Sequence, residues 1–425
     1  MENENKGKLK YIVYLTAIAM AGWMLASFDF NILTPTLPLI SKDLHFTTAQ
    51  AGLITGVIYL GMFVMVLLYG PMIDRLGRKL MFQVVLLVSA IFTGFTFLVV
   101  NFLQFMGVRF VADGSAFGEL PTGLTIVTEE SPAKLRGILY GFVQGGWPIG
   151  LFIASASYLL LVSHIGWRGL YLVGLIPIIA VVIARFRVKE SKRFEDLKKV
   201  IKQNAEAKFK INKEAAKEFT YKQLFNKDLR KQFTIVDLAW ALYTFSFVTT
   251  NVVIALIFTS YYQLTDSQSA TILLIASGIG FFAYPIAGWY GQIIGRRNAW
   301  VISSIIMPIT ALIFYFVAVP GVYYTILIPY IFLYFFSNGT FASVGFMYAS
   351  ESFPTRARGS ATAFVMAIVA AGYAIGGFLF SGILTLTNSI PITWIILAVI
   401  LPFGAVIMIL GKNIKPNEEL ESISS

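Results

Sequence analysis

Long apolar runs separated by short polar breaks dominate this chain. Six runs lie in its first part, at 11–40, 50–73, 79–100, 102–127, 138–162 and 167–187. Six more follow, at 233–262, 268–291, 298–319, 322–348, 360–386 and 391–411. Each run has about 20 or more residues, which a helix needs to cross a bilayer, and is too long for a barrel strand. The pattern predicts an all-α polytopic membrane protein with twelve transmembrane helices, which we number as spans 1 to 12.

The composition favours a membrane protein over a soluble one. The 425 residues are 57% hydrophobic and 13% charged, with a mean hydropathy of +0.74. A soluble chain carries roughly 25% charged residues. The first run is longer than the apolar core of a signal peptide and lacks a clear cleavage site, so no cleaved leader is expected. The absence of cysteine excludes disulfides and thiolate metal sites.

The placement of charge predicts the orientation. The net charge is +11, and an even number of spans puts both termini on one side. That side receives all lysines and arginines except Lys42, Arg109 and Arg168. By the positive-inside rule this side is the cytoplasm, so we expect a multi-pass protein of the cell membrane with both termini cytoplasmic. A topology signal explains the basic charge without nucleic acid, which is not expected as a partner.

One polar stretch, from Lys189 to Lys231, separates six spans from six and is rich in Lys and Glu. We interpret it as a solvated connector with one or two surface helices rather than as a regulatory domain. The predicted parts of the chain are an N-terminal six-helix bundle at 1–188, a cytoplasmic linker at 189–231, a C-terminal six-helix bundle at 232–412 and a cytoplasmic tail at 413–425.

Two pairs of loops repeat along the chain. "EESPAKLRG" after span 4 matches "ESFPTRARG" after span 10, and "GPMIDRLGRK" after span 2 matches "GWYGQIIGRR" after span 8. The offset is constant within each pair of loops. Matched motifs at corresponding places indicate duplicated six-helix halves. The matched residues are Glu129, Pro132, Arg136 and Gly137 with Glu351, Pro354, Arg358 and Gly359, and Gly70, Gly77 and Arg78 with Gly288, Gly295 and Arg296.

These motifs resemble the major facilitator superfamily. Its most diagnostic loop, Gly-x3-Asp-Arg-x-Gly-Arg-Arg/Lys between spans 2 and 3, is matched from Gly70 to Lys79, whereas Gln292 in the second copy replaces the usual acid. The Glu-x2-Pro-x3-Arg-Gly pattern after spans 4 and 10 resembles the sugar-porter and metabolite:proton symporter branches. The resemblance implies two halves that rock around a central site and give alternating access. It implies transport rather than an enzyme reaction, with a proton gradient as energy source and no cofactor.

The charged residues of these loops predict a cytoplasmic gate. Carboxylate–guanidinium pairs at helix ends can latch the two halves when the inside is closed, and they must break when it opens. Simple anchoring of the topology is a second interpretation, and the two are compatible. The predicted gate residues are Asp74, Arg75, Arg78, Glu129, Arg136, Arg296, Glu351 and Arg358.

An aspartate inside span 1 is the main candidate for proton coupling. Asp29 lies in "WMLASFDFNILTPTLPLI", and a carboxylate in hydrocarbon costs several kcal/mol unless it is neutral, hydrated or paired. Asp29 lies roughly 10–16 Å and Arg109 of span 4 roughly 10 Å below the outer surface. An arginine stays charged, so protonation of Asp29 would release Arg109 and change how spans 1 and 4 pack. The resemblance to sugar porters, which carry an aspartate and an arginine at these positions, supports this pair.

Other groups compete for these roles. Asp113 lies one helical turn after Arg109 and could hold the guanidinium locally, which would leave Asp29 as a lone protonatable site. Arg109 could also act only on the substrate. Glu119, in "FGELPTG", could be a second proton site, or a protonated or paired glutamate that locks helix packing. The sequence leaves these alternatives open.

The substrate is predicted more coarsely. The glutamine pair of span 7 and the tryptophan of span 10 that sugar porters carry are absent, whereas "FGELPTG" and "GWPIG" resemble organic-acid symporters. We predict proton symport of a small organic acid or metabolite by a functional monomer, with the substrate, protons and bilayer lipids as partners and no metal. A sugar or polyol symporter is the alternative, followed by a proton antiporter that exports, or a nutrient sensor that does not transport. The predicted substrate-binding residues are Arg109, Gln144, Asn251, Tyr284, Asn338 and Tyr373.

Overall fold

The apolar runs fold into helices that pack side by side. A computed structural model describes residues 2–46, 48–203, 218–414 and 418–420, and every regular element in those ranges is a helix. The helices of the first half are Glu2–Asn31, Leu33–Asp43, Thr48–Leu76, Arg78–Thr96, Phe102–Phe117, Glu119–Glu130, Arg136–Gln144 and Gly146–Arg185.

The second half has the same architecture with more local irregularity. Its α-helices are Arg230–Phe247, Ile254–Ser260, Asp266–Gly280, Ala283–Ile294, Arg296–Val317, Tyr323–Tyr334, Ser343–Ser352, Arg358–Thr387, Ile390–Trp394 and Leu401–Gly404. Spans 7, 10 and 12 also contain π-helical turns, and span 12 ends in a 3₁₀ helix. These segments are Val248–Val252, Phe335–Ala342, Ile395–Ile400 and Ala405–Leu410.

Ten helices in the described ranges are long and apolar enough to cross a membrane. One of them, Arg136–Arg185, is 50 residues long and contains two of the predicted spans. Gly166 divides it with φ 66°, a left-handed conformation that favours glycine and lets the chain reverse. Span 4, the predicted run 102–127, consists of two shorter helices, of 16 and 12 residues, that meet at Gly118. The ten long helices therefore account for eleven crossings, and the two shorter helices of span 4 make the twelfth.

The two halves meet along spans 2 and 11 and along spans 5 and 8. The second contact is a close backbone approach. A Cβ atom on Gly288 would lie 2.1 Å from the carbonyl oxygen of Gly137, and one on Gly141 would lie 2.4 Å from that of Tyr284. Glycine is required here because any side chain would separate the two helices.

Both ends of the chain and the linker lie at one end of the bundle. The backbone N–H of Lys189, at the start of the linker, donates to the hydroxyl of Tyr11 at 2.9 Å. In the C-terminal tail, Glu419 lies 3.8 Å from Arg136, which begins span 5. The loops after spans 2, 4, 8 and 10 are at the same end. We call this end the basic side.

The described part of the linker packs against the bundle. Phe194, Leu197 and Val200 recur along the helix Lys192–Gln203 and are buried. Arg193 of this helix donates to the carbonyl of Glu129 at 3.0 Å, and burial lowers the pKa of Arg193. A helix with a packed apolar face is more than a solvated connector.

Parts of the predicted linker and tail, at 204–217, 415–417 and 421–425, lie outside the described residues. The division of the chain into two bundles, a linker and a tail stays a prediction.

Candidate functional site

Three charged residues meet inside the first half, on the side away from the termini. Nη1 of Arg109 donates to Oδ1 of Asp29 at 3.2 Å, and Nε donates to Oδ2 of Asp113 at 2.9 Å. Nη2 also contacts Asp113 and donates to the backbone carbonyl of Asp29 at 3.3 Å. All three residues are buried, with at most 1% of Asp29 exposed. We call Asp29, Arg109 and Asp113 the Arg109 cluster.

Neutral groups complete the surroundings of the Arg109 cluster. The hydroxyl of Thr93 donates to Oδ2 of Asp29 at 2.7 Å, and Arg109 lies 4.9 Å from the ring centre of Tyr171. The cluster holds one guanidinium and two carboxylates, so it carries one excess negative charge when both carboxylates are ionised. A buried excess charge is costly, and a proton bound by either carboxylate removes it.

The sequence left open whether Arg109 contacts Asp29 or Asp113. In the structure it contacts both. Asp113 is four residues further along the same helix, so its contact follows from helical spacing. Asp29 comes from span 1, and its contact depends on how spans 1 and 4 are rotated towards each other. The guanidinium therefore joins two helices as well as two turns of one helix.

Glu119 is paired with an arginine that the sequence analysis assigned to the basic loops. Nη1 and Nη2 of Arg185 donate to the two carboxylate oxygens of Glu119 at 3.0 and 2.5 Å. The guanidinium lies 3.6 Å above the ring of Phe82, and both ionic side chains are buried. A Cβ atom on Gly22 would lie 1.9 Å from Nη2, so span 1 closes over the pair. In the sequence, the feature that could have indicated this pair is the position of Arg185 at the end of an unbroken apolar run.

On the basic side, Glu129 joins the two halves. Its carboxylate accepts hydrogen bonds from Nε and Nη2 of Arg78 at 3.2 and 3.1 Å, and from Nη1 of Arg358 at 2.9 Å. Arg358 begins span 11 in the second half. All three side chains are almost completely buried. Charge-assisted bonds of this kind hold the halves together at this end.

Asp74 makes a second contact between the halves. It accepts hydrogen bonds from the backbone N–H groups of Gly359 and Ser360 at 2.9 and 2.7 Å, in the first turn of span 11. A carboxylate at a helix N-terminus satisfies unpaired N–H groups and interacts favourably with the helix dipole. Asp74 also lies 3.3 Å from Arg78, its neighbour in the loop after span 2.

The second copy of the motifs repeats this arrangement, with a longer pair between the halves. Arg296 donates from Nε and Nη2 to Glu351 at 3.1 Å each, and Nη1 of Arg136 lies 3.8 Å from Glu351. Gln292, at the position that matches the aspartate of the first copy, accepts from the backbone N–H of Gly137 at 3.2 Å. The pair between halves is 2.9 Å in the first copy and 3.8 Å in the second. We call both copies together the basic-side network.

The basic-side network differs from the predicted gate at two points. Arg75 is exposed and lies over the ring of Phe219, apart from the buried carboxylates. Ser191 and Phe194 of the linker are additions: Ser191 donates to Glu129, and the Phe194 ring centre lies 4.5 Å from Arg78. A serine just before the helical pattern "KRFEDLKK" was the available signal, because serine is a preferred helix cap.

A cavity lies between the two halves. About 410 Å³ in and around it, open solvent included, is not filled by protein atoms. Spans 1, 4 and 5 of the first half and spans 7, 8, 10 and 11 of the second contribute side chains to it. The lining residues are Trp23, Phe117, Gln144, Trp147, Trp240, Tyr243, Phe247, Tyr284, Asn338, Ala342, Phe346, Met366, Val369 and Tyr373.

Aromatic rings form most of the cavity wall. Tyr373 of the second half stacks on Phe247 with ring centres 5.1 Å apart, and it also approaches Tyr59 of the first half at 5.6 Å. On the opposite wall, Trp23 and Trp147 lie 4.9 Å apart. Walls of this kind suit a ligand with a flat or apolar body.

Three N–H donors at the cavity have no partner in the described part of the chain. They are Nε1 of Trp23, Nε1 of Trp240 and Nε2 of Gln144. A buried donor without a partner is costly, so such groups normally bind something. The residues that line the cavity therefore carry several uncommitted donors.

Four of the predicted substrate-binding residues line the cavity: Gln144, Tyr284, Asn338 and Tyr373. Asn251 lies behind this wall, where its Oδ1 accepts from Nδ2 of Asn338 at 2.7 Å. Arg109 does not line the cavity, because the Arg109 cluster holds its guanidinium. The tryptophan donors were missed in the sequence, where tryptophan in a span is usually an apolar packing residue.

The fold and these motifs agree with a comparison against protein families. The family model described as "Major Facilitator Superfamily" matches residues 19–250 and 236–424. The chain belongs to the Major Facilitator Superfamily. It is thus a transporter of this superfamily and not an enzyme, with the all-helical membrane fold that the motifs predicted.

Several transporters of known name are similar to most or all of the chain. The "Niacin transporter NiaP" of Acinetobacter baylyi is 24% identical, and the alignment covers 100% of this chain and 98% of that protein. The "Cis,cis-muconate transport protein" of the same organism is 26% identical, with 83% and 84% covered. The "Sialic acid transporter NanX" of Escherichia coli is 25% identical, with 83% of each covered.

A solved superfamily structure has the same fold. The proton:xylose symporter XylE, bound to 6-bromo-6-deoxy-D-glucose, superposes with a TM-score of 0.79 at 16% sequence identity. The match covers 98% of this chain and 99% of that one. At this identity the likeness establishes the fold alone. Together with the family match and the sequence relatives, this fold makes the chain a multi-pass secondary transporter of small metabolites.

We expect Gln144→Met to raise KM for the transported substrate about tenfold. Methionine keeps the shape of the side chain but removes the N–H donor, and one hydrogen bond contributes roughly 1–1.5 kcal/mol. Uptake into cells or proteoliposomes measures KM. Gln83→Met is the matched control, because Gln83 also lacks a partner among the described residues but lies outside the cavity. An unchanged KM in Gln144→Met would contradict a ligand contact.

Proposed function

We propose that this transporter carries a small organic acid together with protons by alternating access. The observation that supports this most directly is the Arg109 cluster, in which one buried guanidinium is shared by Asp29 and Asp113. We further propose that the protein acts as a monomer in the cell membrane. The basic side is then cytoplasmic, in agreement with the positive-inside rule.

The charge of the Arg109 cluster supports proton binding. With both carboxylates ionised, the buried cluster carries one excess negative charge. One bound proton makes the cluster neutral and weakens one of the two contacts to Arg109. If Asp29 takes the proton, the contact between spans 1 and 4 weakens while the contact to Asp113 stays. Proton binding then changes how two helices pack, which is the requirement for coupling.

The same two helices connect the cluster to the cavity. Trp23 lies on span 1 before Asp29, and Phe117 lies on span 4 after Arg109; both line the cavity. Phe30, next to Asp29, packs against the cavity residue Trp147 with ring centres 5.7 Å apart. A change in the packing of spans 1 and 4 is therefore transmitted to the walls of the binding cavity.

The basic-side network supports the other half of the cycle. Its buried pairs connect the halves in the described conformation, so the basic side is closed. We propose that these pairs break when the transporter opens to the cytoplasm. The Glu119–Arg185 pair lies within the first half and joins spans 4 and 6. It therefore supports that bundle as a rigid body, and proton coupling is assigned to the Arg109 cluster instead.

The donors and rings of the cavity support the proposed substrate class. Uncommitted N–H donors suit a carboxylate, and the aromatic walls suit an apolar body. Muconate and sialic acid, which two relatives are named for, are organic acids. A sugar or polyol needs many fixed polar partners, and the side-chain amides in the lining are only Gln144 and Asn338.

The test uses purified protein in proteoliposomes with a pH-sensitive dye inside. A panel of small organic acids, sugars and polyols is added outside, with substrate uptake and internal pH recorded together. We expect an organic acid to enter together with protons, so that the interior acidifies and uptake rises with the imposed proton gradient. Uptake of a sugar alone would contradict the substrate class.

Asp29→Asn is the informative variant for the coupling site. It removes the titratable group of span 1 but keeps the shape of the side chain. We expect substrate exchange between two equal pools to continue, because exchange needs no net proton movement, whereas accumulation against a gradient is lost. Accumulation at the wild-type level in Asp29→Asn would contradict coupling through this carboxylate.

A further inference from the structure

A carboxylate in the second half has no visible partner. Asp237 lies two turns into the helix Arg230–Phe247, about 10 Å from its basic-side end. The residue is only 8% exposed. Among the described residues neither of its carboxylate oxygens has a hydrogen-bond partner. An ionised carboxylate in such surroundings costs several kcal/mol, so the side chain is stable there only as the neutral acid.

Asp237 faces span 11, the helix that carries contacts between the halves at its start. Phe233 and Thr244 lie four residues before and seven residues after Asp237, so all three share one face of span 7. The ring of Phe233 packs against Phe364 of span 11 with centres 4.9 Å apart. A Cβ atom on Gly372 of span 11 would lie 2.3 Å from Thr244. Asp237 lies between these two contacts.

The helices packed on span 7 offer no charge to Asp237. Span 12 has no ionisable residue from Ile390 to Leu410. The ionisable groups of the other neighbours and of span 7 itself do not bond to Asp237 in the described part of the chain. Glu351 and Arg358 are committed to the basic-side network, and the hydroxyls of Tyr243 and Tyr348 donate to backbone carbonyls. The ionisable groups of span 7 and its neighbours also include Arg230, Lys231, Tyr373 and Lys412.

We propose that Asp237 is a second proton-binding site, which takes up a proton through the central cavity and releases it on the basic side. The proposal rests on the proposed proton symport, to which it adds a second carrier of the proton. Trp240, three residues after Asp237, lines the cavity. Asp237 therefore lies between the cavity and the basic side, within reach of water from either when that side is open.

The release step follows from the geometry of span 11. Its first turn is held by Asp74 and Glu129 of the first half while the basic side is closed. Opening breaks these contacts and moves the second half away from the first, which brings water to the basic-side ends of spans 7 and 11, about 10 Å from Asp237. The neutral acid then gives its proton to water and becomes a hydrated carboxylate. Closing without a new proton would bury an unpaired charge, so the closed state requires the protonated form.

The test compares Asp237→Asn with Asp237→Glu and with Asp196→Asn. Asn copies the neutral acid but cannot titrate, Glu keeps a titratable group, and Asp196 is a carboxylate of the linker helix Lys192–Gln203. Protons and substrate taken up by proteoliposomes are counted together for each variant. Infrared spectroscopy of the protein without substrate provides a second readout, the C=O stretch of a buried protonated carboxyl.

We expect Asp237→Asn to keep substrate exchange and to move one proton fewer per substrate than wild type. We expect Asp237→Glu and Asp196→Asn to keep the wild-type ratio. The carboxyl C=O band should disappear in Asp237→Asn and shift in Asp237→Glu. A wild-type ratio in Asp237→Asn, or a band that neither variant changes, overturns the proposal. If Asp237→Asn does not fold, the carboxyl band of Asp237→Glu still tests the proposal, because it should be shifted.

The two proposals fail in different ways. Wild-type protein that takes up substrate without protons would contradict the proposed symport, whatever the state of Asp237. Wild-type protein that takes up protons at a ratio insensitive to Asp237→Asn would contradict only the second site.

Discussion

Arg109→Gln is expected to abolish transport and to lower the free energy of unfolding by about 3–5 kcal/mol. Removal of the guanidinium leaves Asp29 and Asp113 buried without a cation, and breaking a buried ion pair from one side has this cost. Thermal unfolding in detergent and uptake in proteoliposomes measure the two effects. Wild-type stability in Arg109→Gln would show that the Arg109 cluster carries no buried charge.

A charge-matched variant separates stability from coupling. The triple change Arg109→Gln, Asp29→Asn and Asp113→Asn removes all three charges together, and we expect it to recover most of the lost stability without recovering proton-driven accumulation. Arg168→Gln is the control. Its partner is Asp43 and its side chain is 29% exposed, so its loss should cost less than about 1 kcal/mol.

Glu129→Gln is expected to open the basic side. Glu129 is the shared counter-ion of Arg78 and Arg358, and its neutralisation leaves two buried guanidiniums close together. A loss of about 3–5 kcal/mol in the closed state would shift the equilibrium between closed and open forms by more than about a hundredfold. Transport should fall accordingly, because the closed state is needed for the outward-facing half of the cycle.

The absence of native cysteine makes this shift directly measurable. Ser350 is buried and contacts Thr128 across the two halves at 3.0 Å. A cysteine placed there by Ser350→Cys should react slowly with a thiol reagent in the parent and much faster with Glu129→Gln added. Glu351→Gln is the matched control in the second copy, where the pair between halves is longer, at 3.8 Å. Equal acceleration by Glu129→Gln and Glu351→Gln would contradict the expectation that the shorter pair contributes more to closure of the basic side.

The fold could be predicted from the sequence because hydrocarbon allows few solutions. A span must be helical and about 20 residues long, so apolar runs predict crossings. The repeated loops predicted that charged residues at this end form pairs, but not that Glu129 contacts Arg358 or that Glu351 lies near Arg136. Helix length alone finds ten spans, because Gly166 joins two helices into one unbroken assignment and a short irregularity divides span 4.

For charged side chains inside the spans, the sequence predicted the depth in the membrane but not which side chains are in contact. The sequence placed Asp29 and Arg109 at a similar level, but their contact also depends on the rotation of each helix about its axis. The partner of Glu119 was missed for this reason, because Arg185 looked like one more basic residue at a helix end. Asp237 was overlooked because a single acid near a basic loop looks like a surface charge, and only packing shows that it is buried.

The capping of span 11 by Asp74 has a consequence for how the protein tolerates mutation. Its donors are the backbone N–H groups of Gly359 and Ser360, which every residue except proline supplies. The backbone donors of span 11 therefore cannot be replaced to compensate for the loss of Asp74, whereas any side chain at Gly359 would crowd the Asp74 carboxylate. Glu129, in contrast, pairs with the side chain of Arg358, so a change at position 358 alters its contact directly. In a selection for suppressor mutations, we thus expect changes on span 11 that restore function to Glu129 variants. For Asp74 variants we expect reversion at position 74 itself or second changes in the first half.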